Sequence, residues 1–287
     1  MPSTTPVFQP SAAHEADALA RLQPVGGSHE DVRRYSRARR NVLPRHDHVT
    51  AVAGGWAHDV VLRSGAVVEI VLWCPGDRPH PELEATVAEV AACAGRAHRI
   101  SERTLARVQP DAAAPAVLSV VRLPRWEPTD VLDGDARLVL VADGIEYAGN
   151  LGTLVRTADA CAADALVLTR ATARVTHPKA FGASRGMVLT TPVLTYASIA
   201  SARADLAAAG FTTYVADPAG ATPYRSAGLG SGRTAVVVGS EGDGVSDEWR
   251  RGLTRVAIPM LGQADSLNVA VSAAVLLFEA RSALDGR

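Results

Sequence analysis

The second half of the chain contains five short, nearly continuous apolar runs, and these restrict the fold more than any other feature. Each run has the length of a buried strand, and helix-like stretches lie between several of them. Such strands are typical of a parallel sheet that helices cover on both faces. The pattern predicts an α/β fold for residues 137–287. The runs are 138–143, 165–169, 211–216, 234–239 and 256–260.

Four stretches in the same half are predicted to be helical. The last contains the longest apolar stretch, 269–280, which is too short to span a bilayer and is interrupted by Ser272. The apolar spacing along these stretches is compatible with helices that cover a sheet. They are 152–162, 199–209, 247–253 and 266–284.

The first half is predicted to form a smaller α/β unit. Strand-like runs at 66–73, 97–100 and 117–122 accompany a helix-like stretch at 82–94. Pro, Trp and polar residues then predict a linker at 126–136, so the expected domains are 1–125 and 137–287. The polar first twenty residues lack an apolar core segment. We therefore expect a frayed start and no signal peptide.

A cluster of positive charge lies near the start of the chain. The formal net charge of the whole chain is −1, which gives no general case for nucleic-acid binding. Residues 31–45, however, hold six arginines and one acid. Arg33, Arg37 and Arg40 would share one face of a helix. This face is either a solvated surface or, as we favour, a site for RNA phosphates.

The cysteines predict no metal site and no disulfide framework. Cys74, Cys93 and Cys161 are odd in number and widely spaced, without a CxxC pair. Reduced thiols in a cytoplasmic protein are the expectation.

The first of three polar, glycine-containing loops is DGIEYAGNLGTLVRT, at residues 143–157. Ligands of open α/β sheets bind at the carboxyl ends of strands, where this loop lies. Its glycine spacing matches neither a dinucleotide fingerprint nor a Walker A loop. It is either a tight turn, with Asn150 or Thr153 as a helix cap, or part of a site that includes Asn150 and Arg156.

The second loop is VVGSEGDGVSD, at residues 237–247. Gly239 and the carboxylate of Glu241 follow an apolar strand directly. The loop is either a polar turn in which Ser246 caps the next helix or part of a binding site.

The third loop is IPMLGQADSLNVAV, at residues 258–271. Asp265 or Ser266 is expected to cap the last helix, which would place Asn268 inside its first turn. A polar amide there must be hydrogen-bonded, either to its own chain or to a ligand.

The order and spacing of the three loops resemble the motifs of the SpoU-type RNA 2′-O-ribose methyltransferases of the knotted SPOUT superfamily. The matching segments are GNLGTLVRTA, VVVGSEGDGVS and IPMLGQADSLNVAVSAA, within residues 131–287. The first half resembles, more weakly, the ribosomal-protein-like RNA-binding domain of many members. The chain is similar in particular to actinobacterial antibiotic-resistance enzymes that act on 23S ribosomal RNA. The avilamycin type is favoured over the related thiostrepton and nosiheptide types.

This resemblance implies a trefoil knot, a homodimer and S-adenosylmethionine as methyl donor, without a metal. Arg156 would anchor a phosphate and stabilise the 2′-oxygen in the site of the other subunit, because a guanidinium is a very poor base. Asn150, Glu241, Ser266 and Asn268 would orient the ribose and the loops, and Arg185 would contact RNA. The residues implied for cofactor binding are Ala216, Asp217, Gly239, Ile258, Met260 and Leu267.

The expected function is 2′-O-methylation of 23S ribosomal RNA that confers resistance to a ribosome-targeting antibiotic. A housekeeping methyltransferase of ribosomal or transfer RNA shares all three motifs and is an alternative. A catalytically silent RNA-binding relative and a nucleotide-dependent dehydrogenase are alternatives of other classes. Intact Asn150, Arg156, Glu241 and Asn268 argue against the silent relative, and the missing fingerprint argues against the dehydrogenase.

Overall fold

The computed structural model describes residue 19 and residues 21–220, 222–240 and 242–286. The chain divides into two compact units, Met1–Leu123 and Pro124–Arg287. The predicted frayed start lies almost wholly outside the described residues.

The first unit is built from five strands and four helices among its described residues, with a 3-10 turn at Arg45–Asp47. The strands are β1 (Gln23–Pro24), β2 (Val49–Ala53), β3 (Val68–Cys74), β4 (Arg96–Arg99) and β5 (Ala116–Arg122). The helices are α1 (Glu30–Arg39), α2 (Gly55–Ser64), α3 (Pro81–Cys93) and α4 (Glu102–Val108).

The sheet of the first unit is mixed. Its strand order is β1-β4-β3-β5-β2, and β5 runs antiparallel to both of its neighbours. Buried side chains of β3 and β5, such as Ile70, Leu72 and Leu118, pack with Val32 and Tyr35 of α1 in one core. Sequence patterning did not predict β2 or α2, which are short and joined by the Gly54–Gly55 pair.

The second unit contains seven strands and six helices within the part of the chain that is described. The strands are β6 (Leu138–Asp143), β7 (Ala165–Thr169), β8 (Val193–Tyr196), β9 (Thr212–Ala216), β10 (Thr222–Pro223), β11 (Thr234–Gly239) and β12 (Thr254–Ala257). The helices are α5 (Pro128–Leu132), α6 (Ala148–Ala160), α7 (Pro178–Ala183), α8 (Ile199–Ala208), α9 (Asp247–Arg250) and α10 (Val269–Leu284). Two 3-10 turns lie at Met187–Leu189 and Tyr224–Ser226.

All strand pairs of this second sheet are parallel, in the order β10-β12-β9-β11-β6-β7-β8. The predicted α/β fold with a parallel sheet is therefore confirmed. The central strands β6, β7 and β11 are almost wholly buried, as their continuous apolar runs require. Their carboxyl ends share one edge of the sheet, from which the first two loops emerge.

Some predicted boundaries in the second unit were wrong. The predicted strand 256–260 is Thr254–Ala257, because Pro259 cannot donate to a strand ladder. The predicted helix 152–162 starts earlier, at Ala148. Gly152 is tolerated inside that helix because α7 approaches closely. A Cβ there would lie 2.4 Å from the carbonyl oxygen of Ala180.

The interval 126–136, predicted as a linker, contains α5. Leu132 is buried in the core of the second unit, and Trp126 packs against the same core. None of the described helices is long and apolar enough to cross a membrane.

Candidate active-site cavity

A cavity of about 510 Å³ opens at the carboxyl edge of the second sheet, where β9, β11 and β12 end. Segments from three separate parts of the chain line it, and they include the second and third polar loops. The structure brings together there all six residues implied for cofactor binding, together with Ser266 and Asn268. The six are Ala216, Asp217, Gly239, Ile258, Met260 and Leu267.

Gly239 lets the second loop fold back tightly over the end of β11. A Cβ at Gly239 would lie 2.0 Å from the carbonyl carbon of Gly244 and 2.1 Å from the amide nitrogen of Val245. The amide of Gly244 donates to the carbonyl oxygen of Ser240 at 3.0 Å. Only a residue without a side chain fits this crossing, so Gly239 shapes one wall of the cavity.

Asn268 is the N-cap of α10, so its predicted position inside the helix was wrong. Its Oδ1 accepts a hydrogen bond from the amide of Ala270 at 3.0 Å. The predicted caps, Asp265 and Ser266, lie ahead of the helix, where the Ser266 hydroxyl contacts the Asp265 carboxylate at 3.3 Å. One oxygen of Asn268 thus shapes the third loop while the residue lines the cavity.

A buried carboxylate ties the first two loops together, and sequence reasoning missed it. Asp143, at the end of β6, is fully buried and accepts hydrogen bonds at 2.9 Å from Thr169, from Arg170 twice and from the amide of Ser246. The Trp249 indole donates to Thr169 at 3.1 Å. Burial acts to raise the pKa of the Asp143 carboxyl, but these hydrogen bonds outweigh burial and hold the pKa below its ordinary value.

A second buried carboxylate, Asp217, lies at the end of β9. Its Oδ1 accepts from the amide of Ala219 at 2.9 Å. Its Oδ2 lies 3.3 Å from Arg250 Nε and 3.4 Å from Arg255 Nη1. Of the two arginines, Arg250 lines the cavity. Neither was singled out from the sequence, because isolated arginines on short elements give no pattern.

Three other predicted site residues do not line the cavity. Asn150 lies in the first turn of α6, and Arg156 is exposed further along the same helix. Arg185 follows α7 and has a left-handed backbone, with φ of 56°. The structure therefore separates Asn150 and Arg156 from Ser266 and Asn268 within one chain. Glu241 lies outside the described residues.

The arginine run of the first unit separates into two groups. Arg34 pairs with Glu69 at 2.7 Å and with Asp47 at 3.1 Å, and Arg39 pairs with Asp111 at 3.2 Å. By contrast, Arg33 and Arg37 on α1 and Arg40 at its C-cap are exposed and have no acidic partner among the described residues. These three define the α1 basic face.

The first unit also contains a cluster that the sequence did not indicate. Candidate metal-ligand atoms of His29, Asp31 and His98 lie within 4.8 Å of one another. The Asp31 carboxylate, however, pairs with Arg96 at 2.9 Å and with His98 at 2.7 Å. Burial opposes ionisation of Asp31, but these partners hold its pKa below the ordinary value. The Arg96 guanidinium balances the negative charge of the buried Asp31 carboxylate without a metal ion.

A family model matches most of the second unit. The SpoU rRNA Methylase family matches residues 137–278, which we call the SpoU segment. The matched residues include all three polar loops and most of α10.

One curated relative of the SpoU segment is the 23S rRNA (guanosine(2553)-2′-O)-methyltransferase RlmP of Bacillus subtilis. It is 37% identical over 147 residues, which are 51% of this chain and 58% of the relative. The chain therefore matches less than two thirds of that protein's length.

Solved structures extend the likeness of fold beyond the SpoU segment. An AdoMet-bound rRNA methyltransferase from Sinorhizobium meliloti has a TM-score of 0.77 and is 23% identical. The match covers 90% of this chain and 97% of that chain. The SpoU methyltransferase AviRb from Streptomyces viridochromogenes, in complex with AdoMet, has a TM-score of 0.73 at 25% identity. It covers 87% of this chain and 96% of that chain.

Proposed function

We propose that this protein transfers the methyl group of S-adenosylmethionine to a ribose 2′-hydroxyl of 23S ribosomal RNA. One observation carries the proposal: all six residues implied for cofactor binding line one cavity at the carboxyl edge of the SpoU-family sheet. The relatives support it, because RlmP is named for this reaction on 23S rRNA and AviRb was solved with AdoMet.

The cavity fits S-adenosylmethionine in size and in chemistry. Its volume of about 510 Å³ lies in the range typical of small-ligand sites. Val238, Ile258 and Met260 supply apolar surface for an adenine, and Gly239 lines the cavity beside them. Bound there, the sulfonium would supply an electrophilic methyl group.

Arg156 acts as a cation in the proposed reaction. It anchors a phosphate and stabilises negative charge that develops on the 2′-oxygen, since a guanidinium is a very poor base. Because Arg156 does not line the cavity of its own chain, we propose that it serves the cavity of a second subunit. Asn150, Glu241, Ser266 and Asn268 orient the ribose and the loops in this proposal.

A homodimer is part of the proposal. Val271 and Phe278 are each about half exposed and lie seven residues apart on one face of α10. Tyr147, at the start of α6, is 67% exposed. Apolar side chains of this size at the ends and faces of neighbouring helices are suited to burial against a second copy.

A trefoil knot is part of the proposal, as the resemblance implies. A Cβ at Gly230 would lie 2.2 Å from the carbonyl oxygen of Ala280 in α10. The segment before β11 therefore packs directly against the last helix, which is compatible with a knot.

The first unit is proposed to bind RNA through the α1 basic face, and Arg185 is a further proposed RNA contact. The exposed arginines of the α1 basic face can exchange counterions for phosphates. The proposed location of the protein is the cytoplasm, where its substrate is made.

The proposal leaves two alternatives for the biological role. RlmP supports a housekeeping role, whereas the fold likeness to AviRb over 96% of that chain is compatible with the resistance enzymes that the sequence resembles. We keep resistance to an avilamycin-like drug as the finer hypothesis. Expression in a susceptible bacterium should raise the inhibitory drug concentration if this hypothesis holds, and leave it unchanged if the role is housekeeping.

The reaction is tested with tritiated S-adenosylmethionine and protein-free 23S RNA. Modified riboses are then mapped as primer-extension stops at low nucleotide concentration. A single 2′-O-methyl position is the expected result. No incorporation into 23S RNA, transfer RNA or intact 50S subunits would overturn the proposal and favour a silent RNA-binding protein.

A further inference from the structure

The cavity has an unusual charge arrangement. Of the described residues that line it, Arg250 is the sole cation, whereas Asp217, Asp243 and Asp265 supply carboxylates. A cavity that binds a neutral or wholly cationic molecule has no need of an arginine. The combination fits a ligand that carries positive charge together with one negative group.

The guanidinium of Arg250 has a carboxylate on two sides. Its Nε lies 3.3 Å from Asp217 Oδ2 but is buried without a hydrogen bond to any described residue, whereas its Nη1 donates to Asp247 Oδ1 at 3.1 Å. Its Nη2 lies beneath the second loop, where a Cβ at Gly244 would approach it to 3.2 Å. Among the described contacts, none gives Nη2 a hydrogen-bond acceptor.

A purely structural role would make Arg250 the partner that Asp217 needs, but Asp217 has others. Arg255 approaches the same oxygen at 3.4 Å without lining the cavity, and the Ala219 amide occupies the other oxygen. The Asp247 side chain is 89% exposed, so its pair with Arg250 contributes little stability. The place of Arg250 in the cavity wall is therefore not explained by these pairs.

We propose that Arg250 binds the carboxylate of the methionyl group of the methyl donor, and that Asp217 positions the guanidinium for this contact. The inference rests on the proposed function and adds a residue for cofactor recognition. The acidic residues of the cavity suit the cationic sulfonium and ammonium groups of the same ligand. Arginine suits a carboxylate because its guanidinium stays charged and donates charge-assisted hydrogen bonds.

The test uses two ligands that differ by this carboxylate alone. S-adenosylmethionine and its decarboxylated analogue are titrated calorimetrically into the full-length protein and into Arg250→Ala. The wild type should bind S-adenosylmethionine about 10- to 100-fold more tightly than the analogue, as expected for one charge-assisted contact. Arg250→Ala should lose that preference by weakening the binding of S-adenosylmethionine, while binding of the analogue changes less than about twofold.

Arg255→Ala is the matched control, because it also removes a cation from Asp217 but lies outside the cavity wall. It should keep the preference for the carboxylated ligand, and Arg250→Lys should keep part of it. Equal weakening of both ligands in Arg250→Ala, or equal affinity of the wild type for both, would overturn the inference. If Arg250→Ala does not fold, Arg250→Lys is compared with the wild type for both ligands, and an undiminished preference for the carboxylated ligand would overturn the inference. A wild type that binds neither ligand would instead overturn the proposed function itself.

Discussion

The two units are both α/β structures, but they use their buried polar groups differently. In the second unit, Asp143 and Asp217 lie at strand ends and hold the loops that surround the cavity. In the first unit, His58 and Ser119 contact each other at 2.7 Å in the interior, far from solvent. The charged residues left exposed on α1 are Glu30, Arg33 and Arg37.

This difference teaches where function can be sought in each unit. In the second unit, Asp143 and Asp217 shape the loops of the cavity, so changes at these carboxylates should alter chemistry and cofactor binding. In the first unit, the pair of His58 and Ser119 lies in the interior, so changes there should alter stability. We propose that the first unit recognises RNA through its surface.

The largest expected effect is on catalysis in the second unit. Arg156→Ala should lower kcat about 100- to 1000-fold, the cost of removing one group that stabilises developing charge. Cofactor affinity should change less than about twofold, because Arg156 does not line the cavity of its own chain. Single-turnover methylation and calorimetric titration measure the two quantities.

Mixing two inactive variants tests whether Arg156 serves a second subunit. Arg156→Ala is combined with a cavity variant, Asn268→Ala, under conditions that exchange subunits. Mixed dimers would each contain one complete site, so about a quarter of wild-type activity should return. No recovery, with exchange verified by mass, would place both groups in the site of one chain.

The next effect concerns stability and belongs to the first unit. Burial lowers the pKa of His58 to about 4, so the folded imidazole stays neutral while the unfolded one gains a proton below about pH 6.5. Unfolded chains therefore bind more protons across this window, and stability falls as the pH falls. The loss should reach about 3 kcal/mol by pH 4.

Urea unfolding between pH 7 and pH 4 measures this loss, and His58→Gln should flatten the slope. Burial also lowers the pKa of His177 in the second unit. Hydrogen exchange is therefore needed to show which unit loses stability as the pH falls. Loss of protection confined to residues 124–287 would contradict the assignment to His58.

A smaller effect is expected where the second loop crosses β11. Gly239→Ala should lower the free energy of unfolding by about 1–3 kcal/mol, because a methyl group would overlap the backbone of Gly244. It should also weaken cofactor binding, since the displaced loop lines the cavity. Gly242→Ala is the control in the same loop, where a Cβ meets nothing within 4 Å. Equal behaviour of the two variants would show that the crossing is not tight.

The sequence predicted the second unit better than the first for a physical reason. Strands such as β6 and β11 are buried on both faces, and their continuous apolar runs mark them almost residue by residue. In the first unit, β2 is five residues long and α2 begins at a glycine, so neither has a strong local pattern. The loops of the cavity were recognisable because they follow marked strands.

The parts of the site that the sequence did not predict depend on contacts between distant residues. Asp143 and Ser246 are 103 residues apart, and their hydrogen bond exists only once β6 and β11 are paired. Arg250 enters the cavity wall because the short helix α9 follows the second loop. No local sequence pattern predicts the contact of Asp143 with Ser246 or the place of Arg250 in the cavity wall.

The smallest expected effect tests the surface of the first unit. Replacing Arg33, Arg37 and Arg40 by alanine should weaken RNA binding about tenfold at physiological salt. The same change should reduce the slope of log affinity against log salt by about 2, because each phosphate contact contributes about 0.7. Cofactor affinity should not change. The charge-matched control replaces Arg63, Arg78 and Arg103, which are also exposed in this unit. If filter binding gives the same loss for both sets, the general charge of the unit attracts RNA. If only the α1 basic face matters, the three arginines form a defined phosphate-binding surface.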